Sequence, residues 1–100
     1  MRALLIDPQA QNIEEVSVDS REDIARLIGF ETLESDAVGD AGDRLFFDEE
    51  CFLRQSSGRF QVDTLVPIAG IGVIVGMRED GTLQDAVIGA DDLRARTRYL

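Results

Sequence analysis

The distribution of apolar and polar residues predicts short strands around one clear helix. The chain opens with a compact apolar run, "MRALLI", which ends at Asp7-Pro8 because proline has no N–H to donate within a sheet. The run "IEEVSV" follows the loop "PQAQN", and its β-branched residues favour a strand although its alternation is imperfect. We expect these two runs to form an antiparallel pair.

The segment "DSREDIARLIGF" predicts the main helix. Ser20 is a preferred N-cap, Asp23 lies three residues on as in a weak capping box, and Gly29 supplies a left-handed C-terminal stop. Three apolar residues recur at helical spacing and are predicted to lie in the core: Ile24, Leu27 and Ile28. The helix is short and amphipathic, so we expect it to pack on a sheet.

The middle of the chain predicts short strands separated by polar turns. A strand at 31–35 precedes a loop of glycine and aspartate at 36–43. The runs "RLFF" and "CFLR" flank Asp48-Glu49-Glu50 as the arms of a predicted hairpin. "SSG" at 56–58 predicts a further turn, "RFQV" predicts a strand, and Pro67 indicates a strand start, an edge or a bulge.

The stretch "VPIAGIGVIVG", residues 66–76, holds three glycines and raises the question of a phosphate-binding loop. The dinucleotide fingerprint G-x-G-x-x-G requires a third glycine where this chain has Val75. The fingerprint must also open a helix, whereas the "VIV" after Gly72 favours a strand. The stretch therefore predicts a buried strand, with Val73 and Val75 in the core, whose glycines permit a bulge or a close backbone approach.

The end of the chain predicts a hairpin and a second helix. Asp80-Gly81 is a favoured two-residue hairpin turn. "ADDLRARTRYL" has an acidic start and a basic end, which suit the dipole of a helix. On such a helix Arg94 and Arg98 would share a face while Arg96 points elsewhere.

These elements together predict a single α+β domain over residues 1–100. Its fold is a small antiparallel sheet with one main amphipathic helix and a short C-terminal helix. No apolar run approaches the roughly 18 residues of a membrane helix, and the first residues lack the pattern of a signal peptide. We therefore expect a cytoplasmic protein without a membrane partner.

Residue types exclude several chemistries. The chain has no histidine, so Ser-His-Asp and Cys-His mechanisms are excluded in their usual form. Cys51 is the only cysteine, which rules out an intramolecular disulfide or a cysteine-built zinc site. An EF-hand loop starting at Asp36 fails because Val38 and Phe47 occupy ligand positions. We expect no nucleotide, zinc or haem cofactor, and a metal-assisted enzyme is the least favoured class of function.

Charge is the strongest signal in the composition. The formal net charge is −10, and all ten basic residues are arginine. Residues 1–50 carry the whole net charge of −10, whereas residues 51–100 are neutral. Such asymmetry favours a basic partner for the first half, although it also serves solubility.

Four segments together resemble a known protein family. They are "MRALLIDPQAQNIEEV", "IARLIGF", "LFFDEECFL" and "PIAGIGVIVG", and their order spans most of the chain. The order resembles a family of short uncharacterised proteins carried by phages, plasmids and other bacterial mobile elements. Cys51 stands where that family pattern has a glycine after the acidic turn. The resemblance implies a mobile-element context and an α+β fold, and it implies no catalytic residue.

The favoured interpretation is a non-enzymatic interaction or regulatory protein of a mobile element. Its acidic first half would bind a basic protein surface through five carboxylates: Asp40, Asp43, Asp48, Glu49 and Glu50.

The alternative is a homodimeric nucleic-acid-binding protein. It would use the terminal arginines Arg94, Arg96 and Arg98 to contact phosphates. The net charge of −10 opposes this function unless a dimer brings those arginines together.

Overall fold

The computed structural model describes residues 1–54 and 58–100, and it has the predicted α+β fold: a small antiparallel sheet, one main helix and a short C-terminal helix. In this part of the chain the strands are β1 (Arg2–Asp7), β2 (Asn12–Ser17), β3 (Leu33–Val38), β4 (Asp43–Asp48), β5 (Arg59–Val62), β6 (Ile68–Ala69), β7 (Gly72–Met77), β8 (Leu83–Gln84) and β9 (Thr97–Tyr99). The helices are α1 (Arg21–Ile28), a 3₁₀ helix (Cys51–Leu53) and α2 (Ala90–Arg96).

The main sheet has six antiparallel strands. Their order is β2-β1-β7-β4-β3, and β8 pairs with the end of β7. The predicted pairing of the first two apolar runs is confirmed as the β1–β2 pair. The glycine-punctuated strand β7 lies in the centre, where Ile74 is the partner of Leu4 on one side and of Leu45 on the other. The outer strands are β2 and β3.

The main sheet is buried on both faces. A second sheet, in the order β6-β5-β9, packs with α2 over one face, where Leu4, Ile74, Phe60 and Leu93 form a buried cluster. Helix α1 covers the other face. Because successive strand residues point to opposite faces, one apolar strand supplies both cores. Both predicted core valines of β7, Val73 and Val75, are fully buried on the α1 side.

Helix α1 forms as its local signals predict. The Ser20 hydroxyl accepts a hydrogen bond from the Asp23 N–H at 3.3 Å, and Gly29 has a φ of 94° at the C-cap. Ile24 and Ile28 are buried. The third predicted core residue, Leu27, is only partly buried against the same cluster.

The predicted hairpin around the acidic turn is wrong. Residues 51–53 form a 3₁₀ helix rather than a strand, and the hairpin partner of β4 is β3, joined to it through residues 39–42. The Asp48 carboxylate accepts a hydrogen bond from the Glu50 N–H at 3.1 Å, which turns the chain out of the sheet. Cys51 alone of the three helix residues is buried, while Phe52 and Leu53 are exposed.

The predicted C-terminal helix is shorter than expected. It ends at Arg96, and residues 97–99 form β9, which pairs with β5. Thr97 has extended φ and ψ of −105° and 130°, and its β-branched side chain suits a strand. Arg98 therefore lies on a strand, so Arg94 and Arg98 do not share a helical face.

The predictions for the turns and for Pro67 are confirmed in part. The hairpin at Asp80-Gly81 forms between β7 and β8, but its loop has three residues, because the Arg78 N–H already pairs with the Thr82 carbonyl at 2.8 Å. Pro67 directly precedes β6, which is the first of the three positions that the sequence allowed: a strand start, an edge or a bulge. In the turn predicted at 56–58, residues 56 and 57 lie outside the described chain.

Candidate functional site

The glycine-rich stretch is built as strand and turn rather than as a phosphate-binding loop. Gly70 has a φ of 79° in the turn between β6 and β7, and no helix follows Gly72 in the described part of this stretch. A Cβ on Gly72 would lie 2.6 Å from Phe60 Cζ, and one on Gly76 would lie 2.6 Å from the Asp85 carbonyl oxygen. These two glycines permit close packing, as the sequence predicts.

Asp43, one of the five predicted partner-binding acids, is buried inside the fold. Asp43 is the first residue of β4 and is only 3% exposed. Its two carboxylate oxygens accept hydrogen bonds from the backbone N–H groups of Val87, at 2.8 Å, and Ile88, at 2.9 Å. The carboxylate therefore ties a distant loop to the main sheet and presents no open surface to a partner.

Asp48, a second member of that set, is likewise buried, at the end of β4. Its carboxylate accepts hydrogen bonds from the hydroxyl of Thr32, from the Glu50 N–H and from Arg54 Nε at 3.0 Å. Burial by itself raises the pKa of Asp48, but the hydrogen bonds from Thr32 and Arg54 outweigh it and leave that pKa below its usual value. The charge of Asp48 is compensated within the protein.

The remaining three predicted acids are exposed but do not form one patch. Asp40 lies in the turn between β3 and β4, whereas Glu49 and Glu50 follow the opposite end of β4. A six-residue strand spans about 17–20 Å, which separates these two groups. Glu50 also pairs with Arg54 at 3.3 Å. The predicted acidic surface is thus reduced to three carboxylates at two ends of one strand.

The arginines are all engaged within the chain. Eight guanidinium groups donate hydrogen bonds to protein oxygens, and the other two stack on aromatic rings. These two are Arg21, which lies 5.6 Å from the centroid of the Phe46 ring, and Arg59, which lies 5.3 Å from that of Phe52. The arginine side chains consequently stabilise contacts within the fold.

The three terminal arginines illustrate this internal use. Arg94 donates to the Ile13 carbonyl at 2.9 Å, and Arg98 donates to Gln61 at 3.0 Å. Arg96 donates a bidentate pair of hydrogen bonds to the Asp63 carboxylate, and this pairing lowers the pKa of the Asp63 carboxyl. The structure therefore does not gather these arginines into one free basic cluster.

A small cavity of about 190 Å³ lies at the end of the main sheet near the acidic turn. Its lining includes Asp7 and Asp48 together with Phe30 and Gly70. Asp7 accepts hydrogen bonds from the N–H groups of Gln9 and Ala10, so its own loop engages it. Across residues 1–54 and 58–100, no group of three or more potential metal-ligating side chains is close enough to hold an ion.

Two consecutive acids on the outer strand β2 were not predicted as site residues. Glu14 and Glu15 are both exposed, and they point to opposite faces of the sheet. The signal in the sequence is the imperfect alternation of "IEEVSV", because two polar neighbours within a strand place a charge on each face. Such a pattern is typical of a strand at the edge of a sheet.

Comparison of the chain with protein-family models, with curated proteins and with solved structures gives no match. In the part of the chain that the structure describes, no helix combines the length and the apolar character needed to cross a bilayer.

Proposed function

We propose that this chain is a non-enzymatic acidic interaction protein that binds a basic surface of a partner protein. The observation that carries the proposal is a difference in pairing: the arginine side chains are engaged within the chain, whereas many exposed carboxylates are not. Every arginine has a partner within the chain, while many exposed carboxylates have no hydrogen-bonding or cationic partner among the described residues: Glu14, Glu22, Glu31, Asp40, Glu49 and Glu79.

An uncompensated acidic surface has a definite physical consequence. It attracts a basic partner over a distance of about one Debye length and so raises the association rate, and added salt lowers that rate. The same field repels the phosphate backbone of nucleic acids. The resemblance to short proteins of phages and plasmids supports a regulatory role within a mobile element.

The exposed members of the predicted set are the acids that we assign to this attraction. Glu49 and Glu50 extend from the end of the main sheet that also carries Asp7, while Asp40 extends from the opposite end. Asp43 and Asp48 serve the fold instead. The partner contacts are therefore expected to be distributed rather than confined to one acidic turn.

The proposal is tested by capturing the partner and then measuring its binding directly. The immobilised protein is incubated with nuclease-treated host extract, the bound protein is identified, and its association rate with the purified chain is measured at low and physiological salt. We expect a basic protein whose association slows as salt rises. The triple variant D40N/E49Q/E50Q should slow association several-fold while changing the dissociation rate little.

A matched variant separates local charge from total charge. E34Q/D91N/D92N removes three exposed acids that already have a partner in the chain, the Ser35 N–H for Glu34 and Arg94 and Arg96 for the two aspartates, so it should slow association less than D40N/E49Q/E50Q does. A captured partner that is acidic, or whose association is insensitive to salt, contradicts the proposal. A partner that is captured from untreated extract but not from nuclease-treated extract favours the nucleic-acid alternative.

A further inference from the structure

The two outer strands of the main sheet, β2 and β3, direct some backbone groups away from the sheet, and the hydrogen-bond pattern identifies these groups. Met1 and Val18 exchange both backbone hydrogen bonds across the β1–β2 pair. In an antiparallel pair such residues alternate with residues whose N–H and C=O groups point away from the partner strand. On β2 the outward residues are Ile13, Glu15 and Ser17.

The opposite edge, β3, is covered at Leu33 and Ser35, whereas the outward groups of Ala37 have no hydrogen-bond partner among the described residues. Its outward residues are Leu33, Ser35 and Ala37, because Phe46, which faces Ser35, bonds to β7 on its other side. The Leu33 N–H donates to the Glu31 carbonyl at 2.9 Å. At Ser35 the N–H donates to the Glu34 carboxylate at 3.2 Å, and the carbonyl accepts from the Arg44 guanidinium at 2.9 Å.

The β2 edge is covered at one end only. The Ile13 carbonyl accepts from Arg94 at 2.9 Å, so α2 closes the edge at that residue. The outward backbone groups of Glu15 and Ser17 have no hydrogen-bond partner among residues 1–54 and 58–100, and both residues are exposed. Two consecutive outward residues offer two donors and two acceptors to an incoming strand.

The side chains around this open edge select for positive charge. Glu14 lies on the face that α1 covers, and Glu15 lies on the opposite face. The Glu15 side chain is 62% exposed even though it pairs with Arg2. A strand that pairs with β2 therefore meets a carboxylate on each face, and opposite charges in directly opposed positions stabilise such a pair.

A second copy of the chain fits this edge poorly. A two-fold axis at Glu15 would oppose the two Glu15 carboxylates, and like charges in opposed positions are destabilising. A register that sets Glu15 opposite Ser17 avoids this repulsion but offers no opposite charge to either acid. A basic extended segment has the complementary charge.

We infer that the β2 edge at Glu14–Ser17 binds an extended segment of the partner by strand addition, and that this segment carries two consecutive Lys or Arg residues. The consecutive basic residues follow from the geometry, since neighbours in a strand point to opposite faces and so reach Glu14 and Glu15 separately. The inference rests on the proposed function, because it takes the partner to be basic. The acids elsewhere on the surface accelerate the encounter, and the edge supplies the directional hydrogen bonds.

The test uses a defined peptide and the full chain. The probe is an acetylated and amidated eight-residue peptide of alternating Val and Thr with Arg-Arg at its centre, and the control peptide has Glu-Glu instead. Hydrogen exchange of the amides, followed by NMR, should slow at Glu15 and Ser17 when the Arg-Arg peptide binds. The Ala37 amide on β3 should be unaffected. A peptide that is N-methylated on its pairing amides should not slow exchange at either residue.

Two proline variants isolate the backbone contact. Ser17→Pro removes an outward N–H, which a sheet tolerates at an edge, and it should weaken Arg-Arg peptide binding about tenfold, the equivalent of one lost hydrogen bond. Ala37→Pro makes the same change on β3 and should leave binding unchanged. Thermal unfolding of both variants verifies that they fold, and the N-methylated peptide provides the same test without any change to the chain.

The outcomes separate this inference from the proposed function. Binding of the Arg-Arg peptide without protection of Glu15 and Ser17 overturns strand addition and leaves the acidic-interaction proposal standing. Equal protection by the Glu-Glu peptide supports strand addition but contradicts a basic partner. Protection of both amides that rises with protein concentration in the absence of peptide shows that a second copy occupies the edge, and it overturns the inference.

Discussion

Asp43 and Asp48 show at the scale of single residues why exposed-looking acids in a sequence need not face solvent. Each lies beside glycine or further acids, a context that predicts a solvated turn. The N–H groups that bind Asp43 belong to residues 44 and 45 positions away. No local sequence pattern indicates a contact between residues so far apart in the chain, so the burial of the Asp43 carboxylate could not be predicted from the sequence.

The role of Asp43 predicts a large loss of stability on truncation. Asp43→Ala leaves the N–H groups of Val87 and Ile88 without their acceptors, which costs about 2–5 kcal/mol of unfolding free energy. Asp43→Asn keeps one acceptor oxygen and should lose less. Urea unfolding followed by circular dichroism measures both losses.

Asp40 supplies the control for this prediction, because it lies three residues away and is exposed. Asp40→Ala should change the unfolding free energy by less than about 0.5 kcal/mol. Equal and small losses for Asp43→Ala and Asp40→Ala would show that the Asp43 carboxylate faces solvent.

At the scale of elements, the sequence correctly predicted the elements that are formed by interactions between residues close together in the chain. The β1–β2 pair follows from two apolar runs and a short loop, and α1 follows from its cap residues and its 3.6-residue period. The errors lie where distant partners decide the structure. Residues 97–99 become a strand because β5 offers an edge to pair with, and residues 51–53 are not in a strand because β3 already occupies the side of β4 away from β7.

The packing of α1 predicts a clear order of effects among its apolar residues. Ile24 is fully buried, so Ile24→Ala should lower the unfolding free energy by about 2–5 kcal/mol. Leu27 is only partly buried, so Leu27→Ala should cost less than Ile24→Ala, although the sequence pattern treats the two residues alike. Urea unfolding of the two variants under one set of conditions gives the comparison. A larger loss for Leu27→Ala would mean that the helix is rotated about its axis.

At the scale of the whole molecule, total charge was readable from the sequence but its placement was not. The composition gives −10, whichever arginines are free and whichever acids are paired. Only the fold shows that the guanidinium groups of the neutral second half hold distant segments together, as Arg94 does with β2 and Arg96 does with Asp63. A basic cluster counted along the chain is therefore a poor guide to a basic surface.

This placement predicts how the terminal arginines respond to replacement. R94A/R96A/R98A should lower the unfolding free energy by about 1–2 kcal/mol, since it removes partly exposed ion pairs and a hydrogen bond to the Ile13 carbonyl. In a gel-shift titration with duplex DNA, neither this variant nor the unaltered chain should bind at physiological salt, because the acidic surface repels the phosphates.

The variant R21A/R26A/R59A removes the same charge from other positions and controls for net charge in that titration. If the unaltered chain binds DNA at micromolar concentration or tighter, and only R94A/R96A/R98A loses that binding, the arginines act on phosphates and the nucleic-acid function replaces the acidic one. Loss of stability without any DNA binding assigns these arginines to the fold.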